Sequence, residues 1–230
     1  QGLVALSSLH LKHNRIQTLP QGIFSDLVAL EKLDLHGNIL DQLPAGLFPE
    51  RNSLIMLYLS GNQLQEIPHA ALTALGLLKV LDLEENQIRH LTPAASMAAS
   101  LKTLRLQNNQ IEKIEDGAFM GFEKLEILEL QGNRIQMIGL GTQAFSGLPH
   151  LRVLDLSRNE LTEIPISVLL TLQELSSVDL SRNKIGPAGP LAASLLARIP
   201  EVDLDGNPNS IWSPEDTQTH EDTQRLPATE

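Results

Sequence analysis

Apolar residues recur along this chain in one fixed phrase. Leu30, Leu33, Leu35, Leu40, Leu43 and Phe48 are placed around Asn38 as Leu54, Leu57, Leu59, Leu64, Ile67 and Leu72 are placed around Asn62. The asparagine returns nine times, as Asn14, Asn38, Asn62, Asn86, Asn109, Asn133, Asn159, Asn183 and Asn207, at intervals of 23 to 26 residues. Self-similarity at such a period predicts a solenoid, in which each coil buries its apolar residues against its neighbours. Within each phrase two leucines stand one residue apart, as Leu33 and Leu35 do, with polar residues around them. That alternation predicts a short strand with one face in the core and the other in solvent. The asparagine follows where the chain must turn. Its amide both donates and accepts, so it can satisfy backbone groups that the turn leaves unpaired, and stacked copies predict an asparagine ladder. These nine side chains are read as structural, not as ligand contacts.

The phrase LxxLxLxxNxL, spelled out from Leu30 to Leu40, resembles the leucine-rich repeat family, and the resemblance extends from about Leu3 to Asn207. It implies an α/β solenoid: a curved horseshoe with a parallel concave sheet of about nine short strands. Several coils continue as LPxxxFxxL, with Leu19, Pro20, Phe24 and Leu27 in one and Leu43, Pro44 and Phe48 in the next. This is similar to the typical subclass of repeat and implies a convex side of short 3-10 or extended segments. Phe24, Phe48, Phe119 and Phe145 share one repeat position and read as a spine beneath that side. The longest interval, Asn133 to Asn159, predicts a small bulge around Gly139, Leu140 and Gly141. In the eighth coil Gly186, Pro187, Ala188, Gly189 and Pro190 lead into Leu191, Leu195, Leu196 and Ile199 at helical spacing. That coil resembles a ribonuclease-inhibitor-like repeat, and it is expected to carry the one true helix.

Leu3, Val4, Ala5 and Leu6 repeat one period later as Leu27, Val28, Ala29 and Leu30, which predicts that the first residues are the tail of an earlier coil. Residues 1–212 are read as the repeat domain, with Ile211 and Trp212 covering the last coil. Residues 213–230 are polar, repeat the word EDTQ, and read as a disordered acidic tail or linker.

Composition narrows the function classes. The net charge of −11 argues against a protein that tracks phosphates, so nucleic acid is not expected as a partner. No apolar run is long enough to span a bilayer, so no membrane insertion is expected in this segment. There is no cysteine, hence no disulfide, thiolate metal site or catalytic cysteine, and the cytoplasm is favoured over the extracellular space on that ground. No phosphate loop, zinc motif or kinase motif is present, and no cofactor or enzymatic activity is expected.

The strand register sorts the outward residues into three columns. The central one reads His10, Asp34, Tyr58, Asp82, Arg105, Glu129, Asp155, Asp179 and Asp203. The column before it contains Met56, Val80, Thr103, Ile127 and Val153, and the column after it His36, Ser60, Glu84, Gln107, Gln131, Ser157 and Ser181. Adjacent strands lie about 4.8 Å apart, so column neighbours touch. Arg105 is expected to be neutralised by Asp82 and Glu129. Asp155, Asp179 and Asp203 stack with no cation between them, and like charges opposite one another repel unless a basic partner, or Arg158 and Arg182 bending over, screens them. A calcium ion would suit carboxylates, but nothing around them resembles a calcium loop. Met56, Val80, Ile127 and Val153, with Tyr58 beside them, form an apolar stripe of the sort that marks an interface, although β-branched residues also suit strands wherever they point. His10, His13 and His36 cluster at one end and read as ordinary surface residues.

The expected function is a monomeric, non-enzymatic interaction scaffold that binds a protein or peptide with a basic surface. Met56, Tyr58, Val80, Ile127 and Val153 would supply burial, and Asp82, Glu84, Arg105, Glu129, Asp155 and Asp179 selectivity. The alternative is the recognition segment of a larger receptor or signalling enzyme.

Overall fold

Nine three-residue strands lie side by side in one parallel sheet. In the computed structural model, which describes residues 3–93 and 99–208, they are β1 (Ser8–His10), β2 (Lys32–Asp34), β3 (Met56–Tyr58), β4 (Val80–Asp82), β6 (Thr103–Arg105), β8 (Ile127–Glu129), β9 (Val153–Asp155), β10 (Ser177–Asp179) and β11 (Glu201–Asp203). Each pairs in register with the next, so that Leu33, Leu57, Leu81, Leu104, Leu128, Leu154 and Val178 form one row. Leu33 through Leu154 in that row have no solvent exposure at all. Burying each leucine is worth about 2 kcal/mol, and no coil could bury its own without a neighbour on either side.

The asparagines form the predicted ladder. Asn86 donates its Nδ2 to the carbonyls of Leu83 in its own coil (3.1 Å) and of Leu59 in the coil before (3.0 Å). Its Oδ1 accepts the N–H of Leu64, again in the preceding coil, at 3.0 Å. The same pattern repeats from Asn38 to Asn207, while Asn14 bonds within its own coil to Leu11 and Lys12. The residue before each of the nine asparagines has a left-handed backbone: His13, Gly37, Gly61, Glu85, Asn108, Gly132, Arg158, Arg182 and Gly206, with φ between 52° and 74°. A left-handed residue turns the chain sharply enough to fold the asparagine back under the strand, and only some coils use glycine to do so.

On the convex side Phe24 stacks on Phe48 at 5.8 Å, and Phe119 packs on Phe145 at 5.1 Å with Phe122 at 6.3 Å. The expected spine is therefore real but in two pieces, with the buried Leu72 at the same position of the coil after Phe48. The helix of the eighth coil is present as Pro190–Leu196 (α3), with Pro190 in its first turn. It is not the only one. His69–Leu72 (α1) and Ile166–Leu169 (α2) are single helical turns, each set directly after a proline, Pro68 and Pro165. A proline fixes φ near the helical value and has no N–H to leave unpaired at a helix start, so it favours one turn without needing a longer helical pattern.

A second small sheet was not expected. His90–Leu91 (β5) pairs in parallel with Lys113–Ile114 (β7), and Ile114 bridges on to Leu140. The predicted bulge lies next to it, as a 3-10 turn over Met137–Gly139. It leaves Ile138 95% exposed, and a Cβ on Gly139 would collide with the carbonyl oxygen of Glu112. Ile211, Trp212 and the tail lie outside the described residues.

Candidate functional site

The central column is held by its own turns. Asp34, Asp82, Asp155, Asp179 and Asp203 each accept, through Oδ1, the N–H of the residue two places on, at 3.2, 3.1, 2.9, 2.8 and 2.8 Å. These are Asx turns, which close the strand end before the left-handed residue. Asp155, Asp179 and Asp203 do stack in register. The aspartates thus have a local structural reason for being there, which the column argument missed. The signal was legible as an aspartate followed two residues later by the last outward position of the phrase.

Their electrostatics remain unfavourable. Burial pushes the Asp155 carboxyl above its ordinary value, its bonds to Ser157 oppose this, and the charge of Asp179 pushes it further up while Arg158 pulls it down. Burial also raises Glu129, against Arg105, with Asp155, Asp82 and Glu84 adding to the rise. Arg105 pairs with Glu129, Nε to Oε2, at 3.2 Å. Asp82 was expected at the surface, yet is 7% exposed, because its carboxylate folds onto the N–H of Glu84.

The apolar stripe lies beside this column across five consecutive strands. Met56 is exposed, and Val80, Thr103, Ile127 and Val153 are half-buried. Tyr58 belongs to both columns in effect: its hydroxyl donates to Met56 Sδ at 3.4 Å, and Lys32 Nζ sits 5.1 Å from its ring centroid.

The third column is only partly a solvent face: His36, Glu84 and Gln131 are half-buried. Ser60, Gln107, Ser157 and Ser181 are buried, since this position follows the strand and lies beneath the left-handed turn. Glu84 accepts from Gln107 Nε2 at 2.9 Å and from Asn108 Nδ2 at 3.1 Å. The Oε1 atoms of Gln107 and Gln131 are buried with no donor.

Two of the three clustered histidines, His13 and His36, meet. His10 Nδ1 is 3.4 Å from Asp34 Oδ2, His36 Nδ1 is 2.8 Å from Ser60 Oγ, and the rings of His13 and His36 meet edge-on at 4.7 Å. Among the described residues no group of three His, Cys, Asp or Glu side chains is placed to hold a metal, and no helix is long and apolar enough to cross a membrane.

The geometry resembles known proteins. A family model described as leucine rich repeat matches residues 4–64, 52–100, 99–161, 137–185 and 149–208. No curated protein matches the chain in sequence. Among solved structures, a leucine-rich repeat protein of Leptospira interrogans is 30% identical with a TM-score of 0.71, over 89% of this chain and 50% of that one. TLR13, solved in complex with ssRNA13, is 27% identical with a TM-score of 0.78, over 89% of this chain and 30% of its own. An internalin of Listeria monocytogenes, 24% identical with a TM-score of 0.70, shares the fold over 94% of this chain and 60% of its own. The chain therefore spans half or less of the first two relatives. With the repeat matched along nearly its whole length and the ladder in place, the chain belongs to the leucine-rich repeat family.

Proposed function

We propose that the chain is a non-enzymatic recognition surface whose concave sheet binds a protein or peptide with a basic face. The observation that carries this reading is the apposition of two columns on one sheet. The apolar stripe of Met56, Val80, Ile127 and Val153, with Tyr58, runs beside Asp82, Glu129, Asp155 and Asp179, with Glu84 at their edge and Arg105 as the cation among them. Apolar surface rimmed by charge supplies burial at the centre and selectivity around it. Carboxylates already raised in pKa by burial and by one another gain most from an incoming cation.

A second reading makes this chain the recognition segment of a longer receptor. It is favoured by the shares just given, since the chain covers 30% of TLR13 and 50% of the Leptospira protein. The RNA bound to TLR13 raises nucleic acid as a ligand class, but a net charge of −11 and a carboxylate-rich concave face oppose phosphate.

Panning a random peptide library on the immobilised protein tests the main reading. The expected selectants are rich in lysine or arginine, and they lose binding to a double variant, Asp155→Asn with Asp179→Asn, that keeps both Asx turns and removes both charges. Selectants that bind this variant equally well at low salt would overturn the acidic concave site.

A further inference from the structure

The middle of the concave surface holds a polar group that is incomplete as it stands. Glu84, Gln107 and Gln131 occupy the same position of three consecutive coils, held in order by the pairing of β4 with β6 and of β6 with β8. Gln107 is 7% exposed. Its Nε2 is committed to Glu84 Oε2 at 2.9 Å, which leaves its own Oε1 buried without a donor, and the Oε1 of Gln131 is in the same state. Buried acceptors are nearly always paired, so two orphans on adjacent coils call for an explanation. The charges of Asp155, Asp82 and Glu84 all bear on Glu129, and Arg105, paired to Glu129, is the one cation in that column. Both features lack the same thing: a positively charged donor with several N–H groups.

We infer that Glu84, Gln107 and Gln131 form the cradle for one cationic side chain of the partner, a lysine ammonium or an arginine guanidinium. This rests on the concave-face reading and makes it specific to one place. An incoming cation pairs with Glu84, which no longer needs the amide of Gln107. The Gln107 amide then turns, so that Oε1 accepts from the cation, and the same cation reaches the Gln131 oxygen one coil away. Ammonium and guanidinium carry three and five donors respectively, so either can serve two amide oxygens and a carboxylate at once. An uncharged group of the same length cannot.

The experiment follows the side-chain amide signals of Gln107 and Gln131 by NMR while the protein is titrated with N-acetyl-lysine amide, N-acetyl-arginine amide or N-acetyl-norleucine amide. Saturable shifts of both amides with lysine or arginine, and none with norleucine, are expected; the stronger of the two cations identifies the group. Glu84→Gln, which preserves shape, should weaken the effect by about tenfold or more, as loss of a charged hydrogen-bond partner does. Glu163→Gln, at an exposed position outside the three concave columns, should leave it unchanged. Equal shifts with norleucine, or shifts unaltered in Glu84→Gln, would overturn the cradle. Basic peptides that bind the concave face but are indifferent to both Glu84→Gln and Gln107→Met would also overturn it, while leaving the concave-face reading intact.

Discussion

The side-chain oxygen of Asn109 accepts the main-chain N–H of Ile88, in the coil before, at 3.0 Å. The same side chain donates to the carbonyls of Leu83 and Leu106, at 2.9 and 3.0 Å, in a fully buried setting. Asn109→Ala therefore orphans three backbone groups. At roughly 1 kcal/mol or more for each unsatisfied group, a loss of about 3 to 5 kcal/mol is expected in urea unfolding. Asn14→Ala, at an exposed site with two bonds inside one coil, should lose under about 1 kcal/mol. Similar losses at the two sites would mean that the ladder contributes nothing beyond local turns.

Glycine matters here at the left-handed turns and, as at Gly139, where neighbouring backbone comes too close for a Cβ. Gly132 has a φ of 68°, and a Cβ there would strike the Oδ1 of Asn108. Gly132→Ala should lower stability by about 1 to 2 kcal/mol, the cost of a left-handed alanine plus a displaced side chain. Gly76, with open space where its Cβ would stand, is the control, and its alanine variant should stay within about 0.5 kcal/mol of the parent. Thermal unfolding of the pair checks this; a neutral Gly132→Ala would remove the claim that the turn before each asparagine is constrained.

Phe119 is fully buried against Phe122 and Phe145. Phe119→Ala should cost about 3 to 5 kcal/mol. Because a solenoid couples nearest neighbours, hydrogen exchange should accelerate in β6, β8 and β9 well before β1 and β2. Uniform acceleration along the sheet would contradict nearest-neighbour coupling.

The Asp155 carboxyl titrates above its unfolded value. A group raised in this way binds more protons folded than unfolded, so it lowers stability as pH rises through the carboxylate range and keeps that deficit above it. Asp155→Asn retains the acceptor for Ser157 and removes the charge. It should raise the melting temperature at pH 7, with the gain shrinking as pH falls through the raised folded pKa and gone below the ordinary aspartate value. Asp155→Ala loses the turn and should be destabilising at both ends of the range. If Asn and Ala behaved alike at pH 7, charge and turn could not be separate contributions.

The repeat, the strand positions, the ladder and α3 were legible because each depends on residues close in sequence or one period away. Leu33 and Leu57 must face inward whatever surrounds them. Ser60 and Gln107 were misplaced because their burial depends on the left-handed turn after the strand, which five non-glycine residues adopt against their own preference. The role of Asp34, Asp82 and Asp155 was missed because a column of side-chain directions ignores the backbone N–H two residues on. α1 and α2 fell within segments read as 3-10 or extended, since four residues carry no helical period and Pro68 and Pro165 were the sole cue. The candidate site was legible as two columns; the unpaired oxygens of Gln107 and Gln131 were not, because pairing is a property of neighbours in space.

The rungs of the ladder also have a direction. From Asn38 onward each asparagine reaches back to bond the coil before it. A coil is thus sealed by the coil that follows it in sequence, so the backbone of each coil depends for its satisfaction on the neighbour on its carboxyl side.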